Sequence, residues 1–182
     1  TQIVDGAPAD VAAFADTTPM QVLADAGLLA APAEMFATNE LVLVTPPANP
    51  AGIASLADLA GASTVSLCVA TAPCGKFAEQ LLSQVGVTVG ESSVTRGQDV
   101  RATLAAVTEG DADAAIVYLS DAAAVGSRVE VVDVPEAAAI VASYPIAVLA
   151  DSDAADVAGS FLAFGRSDDG QARLSDAGFG PP

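Results

Sequence analysis

Two apolar rhythms alternate along this chain. Continuous or every-second apolar runs predict strands, and apolar residues three and four apart predict helices. The first six residues read as the end of a helix stopped by Gly6. Residues 9–14 predict a short buried strand, and 17–26 a helix closed by Gly27. Residues 36–44, FATNELVLV, predict a long strand halted by Pro46 and Pro47. Asn49-Pro50-Ala51-Gly52 is a turn, followed by a short helix from Ser55 to Leu59.

The middle of the chain then repeats one unit. A strand at 65–69 meets the turn APCG, and a helix follows from Lys76 to Val85. A strand near 92–95 precedes a helix at 100–109, which Gly110 closes. The strand 114–118 is followed by Ser120-Asp121, which could cap a short helix at 122–125, and a further strand lies at 129–132. Residues 140–149, IVASYPIAVL, form a second long strand, with helices expected at 154–164 and 168–177. This alternation predicts an α/β fold with a wound sheet. The two long strands bracket the middle unit, so the expected organisation is two lobes, 1–44 with 143–182, and 45–142. A cleft between such lobes is the natural ligand site.

Composition narrows the function. The chain carries 23 Asp plus Glu against 6 Lys plus Arg, a net charge of −17, which argues against nucleic acid and anionic lipid as partners. No window of eighteen uninterrupted apolar residues occurs, so no membrane span is expected. With no His, Ser-His-Asp and Cys-His catalysis are excluded and zinc lacks ligands. No glycine-rich phosphate cradle stands in a strand-to-helix context, and catalysis is not expected. Cys68 and Cys74 are not a C-x-x-C redox pair; a short-loop disulfide and two buried thiols both fit.

Three segments mark where strands or turns hand over to helices: APCGKF at 72–77, GQDVRATL at 97–104 and AIVYLSDA at 115–122. The first amides of a helix have no intrahelical acceptor and can hold an anion without a positive side chain. In the first segment, Pro73 sets φ, Gly75 lets the backbone approach a ligand, and the amides of Cys74 and Gly75 face outward. In the second, Asp99 is the N-cap and the amides of Val100 and Arg101 face the anion, with the Arg101 side chain in solvent. In the third, Tyr118 ends a buried strand at the carboxyl edge, where open α/β sheets bind ligands.

The order and spacing of these segments, with GAPADV at 6–11, FATNELVLV at 36–44, NPAGI at 49–53, YPIAVL at 144–149 and GQARL at 170–174, resembles the periplasmic molybdate-binding proteins of ABC transporters. The resemblance runs along essentially the whole chain. It implies a two-lobed type II periplasmic-binding-protein fold and a non-enzymatic, solute-capturing role. The ligand implied is molybdenum as the molybdate oxyanion, or tungstate, held by neutral hydrogen-bond donors, with no cofactor. By similarity the second-lobe contacts are the amides of Cys74 and Val100 and the hydroxyl of Tyr118. The implied partner is the membrane permease of an ABC importer. The implied location is the periplasm or the outer face of the membrane, with a lipid anchor in the full-length protein. Such a location favours a Cys68–Cys74 disulfide, clamping the turn that presents the Cys74 amide.

In that family two serine donors come from an opening strand-turn-helix and a following strand, all of which would precede Thr1. The resemblance therefore implies a chain shortened at its front, with lobe one incomplete. Hydrogen bonds to a charged group contribute roughly 1.5–3 kcal/mol each, so three donors supply at most roughly 5–9 kcal/mol before association costs. Micromolar affinity alone takes about 8 kcal/mol. Weak or absent binding by this chain is the expectation, with exposed apolar faces and self-association of the flanking remnants. The rival readings are a sulfate-, thiosulfate- or phosphate-binding protein, or an enzyme or ligand-sensing domain on the same fold.

Overall fold

A computed structural model describes residues 2–182. In chain order the elements are β1 (Val11–Ala13), α1 (Thr17–Asp25), β2 (Glu34–Thr45), β3 (Val65–Cys68), α2 (Pro73–Gln84), β4 (Val94–Gly97), α3 (Val100–Thr108), β5 (Ala114–Tyr118), α4 (Leu119–Val125), β6 (Glu130–Val132), β7 (Val141–Val148), α5 (Ala155–Arg166) and α6 (Asp168–Asp176). Short 3-10 turns occupy Leu56–Gly61, Glu91–Ser93, Gly126–Arg128 and Pro135–Ala139. The expected helix end at the front is instead a run of turns over residues 2–6, closed by the Gly6 amide donating to the Ile3 carbonyl. So short a segment cannot repay helix nucleation. Thr1 lies outside the described residues. Among the described residues no helix is long and apolar enough to cross a membrane.

The chain forms two compact units, residues 1–39 with 142–182, and residues 40–141. The division falls inside β2, between Asn39 and Glu40, and not at Val44 where the strand's pattern ends. One uninterrupted strand serves both units, so no break in hydrophobic pattern marks the boundary.

In residues 40–141 the sheet order is β6-β2-β5-β3-β4. Strands β5, β3 and β4 run parallel, with Val65 beside Ala114 and Cys68 beside Gly97. The second half of β2 runs antiparallel to β5, with Leu41 opposite Tyr118, and to β6, with Leu43 opposite Val132. Every residue of β3 and β5 is buried, which explains why their sequences are nearly unbroken apolar runs. One face of the sheet (Val42, Val44, Ala115, Val117) packs under α3 and α4 against Leu104, Val107, Ala122 and Val129. Alternation puts Leu41, Leu43 and Ile116 on the other face, and α2 packs against β3 and β5. Each such Leu or Ile stabilises the fold by about 1.5–3 kcal/mol relative to exposure.

The other unit pairs β1 antiparallel with β7, with Val11 opposite Val148, over a core of Ala12, Met20, Leu23, Ala147 and Leu149. The buried Asn39 amide donates to the Tyr144 hydroxyl at 3.2 Å. Tyr144 also meets the ring of Phe179 edge-on at 5.7 Å. Arg166 at the end of α5 pairs with Glu34, and the Gln171 amide donates to the Phe36 carbonyl at 2.8 Å. On α5, Val157, Phe161 and Phe164 recur on one stripe and stay 70%, 58% and 47% exposed.

Candidate functional site

Parallel alignment of β5, β3 and β4 places their carboxyl ends along one edge of the sheet. From that edge each strand feeds the start of a helix: β3 leads to α2, β4 to α3, and β5 to α4. Three helix N-termini, and with them Cys74, Val100 and Tyr118, are therefore held by neighbouring strands of one sheet.

Helix α2 begins at Pro73, three residues ahead of the start expected at Lys76, with Ala72 as a cap that contributes no side-chain bond. The Pro at the first helical position has no N–H to leave unpaired. The amides of Gly75 and Lys76 both donate to the Ala72 carbonyl at 3.1 Å. Of this turn, the Cys74 amide is thus the one N–H with no backbone acceptor among the described residues. The expectation of two outward amides narrows to one. Gly75 also serves a different purpose from the one expected. A Cβ there would stand 2.7 Å from the Val69 carbonyl carbon, so its bareness accommodates the chain's own backbone.

Asp99 caps α3 as its sequence position suggests, its carboxylate accepting from the Ala102 amide at 2.8 Å. The Thr103 amide returns to the Asp99 carbonyl at 3.1 Å. The cap consumes neither Val100 nor Arg101, so the first two amides of α3 keep their donors. Gly97, the last residue of β4, permits this close seating; a Cβ on it would stand 2.5 Å from the Thr103 nitrogen.

Tyr118 is the last residue of β5, buried, and it is also the N-cap of α4. The helix starts at Leu119, so Ser120 and Asp121 lie within its first turn and do not cap it. Strand alternation puts the Tyr118 side chain on the face opposite Val117, the side covered by α2.

The sequence suggested Asp121 only as part of a Ser120-Asp121 helix cap. Burial raises its pKa above the ordinary aspartate value of 3.8, while Arg101 and a hydrogen bond from the Tyr118 main chain pull it down and Asp99 pushes it up. Arg101, expected in solvent, lines with Asp121 and Arg128 a groove of about 430 Å³. Burial thus favours the neutral carboxyl of Asp121, while Arg101 favours its charged form and offsets that charge.

Cys68 and Cys74 are joined, with an S–S distance of 2.06 Å and a Cα–Cα distance of 5.9 Å. The bridge ties the last residue of β3 to the first turn of α2. Thr103 of α3, fully buried, places its hydroxyl 3.3 Å from the Cys68 sulfur and 2.9 Å from the Asp99 carbonyl. Among the described residues no group of three His, Cys, Asp or Glu could hold a metal ion. What this edge offers is neutral amide donors on a rigid base, an arrangement suited to an oxyanion.

Comparisons with known proteins agree with this architecture. A family model described as bacterial extracellular solute-binding protein matches residues 1–180. The molybdate-binding protein ModA of Mycobacterium tuberculosis is 39% identical over 183 residues, covering all of this chain and 69% of that protein. A substrate binding domain assigned to a molybdenum ABC transporter of Clostridium difficile superposes with a TM-score of 0.82 at 27% identity, over 100% of this chain and 80% of that one. The sulfate-binding protein SubI of Mycobacterium tuberculosis shares the fold, with a TM-score of 0.79 at 22% identity, covering 99% of this chain and 71% of that one. A family match along nearly every residue, on a sheet whose carboxyl edge gathers helix amides, leads to one conclusion: this chain belongs to the bacterial extracellular solute-binding proteins.

Proposed function

We propose that the chain captures molybdate or tungstate outside the membrane and delivers it to the permease of an ABC importer. The observation that carries this reading is the convergence at one sheet edge of the Cys74 and Val100 amides with Tyr118, each at a strand-to-helix handover. The 39% identity to ModA supports the choice of anion.

In this reading the Cys74 and Val100 amides and the Tyr118 hydroxyl each donate to an oxygen of the tetrahedral anion. No proton leaves the protein and no covalent bond changes. Fixed amide dipoles suit a weakly basic dianion because they need no reorganisation as it arrives. Three such donors give an affinity weaker than about 1 µM, since their gross contribution of roughly 5–9 kcal/mol is offset by lost translational freedom.

Titrating the ¹⁵N-labelled chain with sodium molybdate tests the site. The expected result is a joint shift of the Cys74, Val100 and Arg101 amide resonances along one saturation curve. Shifts confined to other residues, or none, would remove the reading. Displacement by equal sulfate would keep the site and change the anion.

A further inference from the structure

We infer that Thr103 and the Cys68–Cys74 disulfide act as one positioning unit, fixing the Cys74 turn and the Val100 turn at the spacing that an oxyanion requires. This rests on the reading of those turns as its donors.

The two donor turns belong to different helices on different strands, so their spacing is set by whatever joins them. Cys68 and Gly97 are register partners at the ends of β3 and β4. The Val69 amide donates to the Gly97 carbonyl at 2.8 Å, which carries the ladder one residue past the strand ends. From there the two loops separate. Ser66 pairs in register with Ala115, which packs under α3 and α4, so alternation places the Cys68 side chain on the α3 side of the sheet. Yet its sulfur is bonded to the first turn of α2. The bridge therefore passes around the end of β3 from one side of the sheet to the start of the helix on the other.

Thr103 completes the connection from α3. Its hydroxyl touches the Cys68 sulfur at 3.3 Å and the carbonyl of the capping Asp99 at 2.9 Å. Its own amide donates to that carbonyl at 3.1 Å. Gly97 leaves room for it, since any Cβ there would collide with Thr103. Thus the covalent clamp on the Cys74 turn and the cap geometry of the Val100 turn meet at one sulfur atom. Cys68 and Thr103 are fully buried and Cys74 is 4% exposed, so this contact is not diluted by water.

The roles divide accordingly. The Cys74 amide donates to the anion, the disulfide holds that amide, and Thr103 transmits the position of the disulfide to the first turn of α3. Cleaving the bridge would free the α2 turn and also loosen the Val100 and Arg101 amides, on a helix with no covalent link to it.

The test is a double-mutant cycle on the full chain, with molybdate as the probe and amide resonances as the readout. Cys68→Ser with Cys74→Ser weakens molybdate binding about tenfold, and Thr103→Val, which keeps the side chain's shape, about three- to tenfold. Combining them adds little to the cysteine variant alone, and Thr103→Ser, which keeps the hydroxyl, restores most of the affinity. Additive effects, or unchanged dissociation constants in folded variants, would overturn the inference.

A ligand-free arm separates this inference from the reading beneath it. Dithiothreitol delivers two electrons and two protons, giving two cysteine thiols and its own cyclic disulfide. The expected result without molybdate is that the Val100 and Arg101 amides shift and exchange faster with solvent, while those of β6 stay put. Disturbance limited to 69–76 would refute the coupling even if molybdate binds. If the coupling appears and molybdate moves none of these amides, the anion reading fails and the positioning unit stands.

Discussion

Gly75 and Val69 are in backbone contact: a Cβ on the glycine would overlap the Val69 carbonyl oxygen and stand 2.7 Å from its carbon. That carbonyl accepts from the Ala72 amide at 3.0 Å, so it cannot swing away without breaking the turn that starts α2. Gly75→Ala should therefore cost about 1–3 kcal/mol of stability through overpacking, and weaken molybdate binding as the Cys74 amide is pushed out of place. Urea unfolding and the amide titration check the two effects separately. A variant as stable as the parent would show that the contact relaxes freely.

Two buried hydroxyls, those of Thr45 and Ser66, have no hydrogen-bond partner among the described residues. They lie on adjacent positions of the sheet register and so on opposite faces. An unsatisfied buried hydroxyl costs about 1–3 kcal/mol, and an apolar group of the same shape removes that cost. Thr45→Val should raise stability by about 1 kcal/mol in urea melts. A loss instead would mean that an ordered water serves the hydroxyl.

Asp121 carries a pKa raised chiefly by burial, and the charged groups around it are Arg101 and Asp99, with Glu109 and Arg128 lining the same groove. A raised folded-state pKa stabilises the fold fully below the unfolded value and loses that contribution as pH rises through the folded value. Asp121→Asn should consequently melt about 1–2 °C higher than the parent at pH 7. The two curves should converge below the ordinary aspartate value of 3.8. Thermal melts across that range decide it. A variant less stable at pH 7 would show that the Arg101 attraction outweighs burial.

The whole chain repels the ion it is proposed to bind, since its net charge is −17. Screening lengths fall from about 30 Å at 0.01 M salt to about 8 Å at 0.15 M. Added sodium chloride should thus speed molybdate association, the reverse of a basic, electrostatically steered site. Stopped-flow rates at two ionic strengths test this. Rates that fall with salt would point to a cationic side chain in the site.

The buried parallel strands were legible because every residue of β3 and β5 is apolar or small, a pattern only a two-sided core permits. Asp99 as the cap of α3 was equally legible, since a carboxylate before an apolar-periodic run has one common use. Less visible was the start of α2, because Pro73 punctuates a turn and opens a helix with equal ease. The boundary at Asn39 was hidden by a strand that runs through it. Thr103 gave no signal, being one threonine inside a helix, and Asp121 was legible only as a helix-cap candidate.

Sequence by itself determined the wound α/β order, the cap at Asp99, the exclusion of histidine chemistry and the three handovers at Cys74, Val100 and Tyr118, because these depend on local propensity and residue type. Tertiary structure decided that Gly75 clears a carbonyl of its own chain, that one amide of the α2 turn keeps its donor, and that Thr103 rests on the sulfur joining Cys68 to Cys74. Those facts depend on which strands lie side by side, and strand order is fixed by long-range pairing that no short window of residues contains.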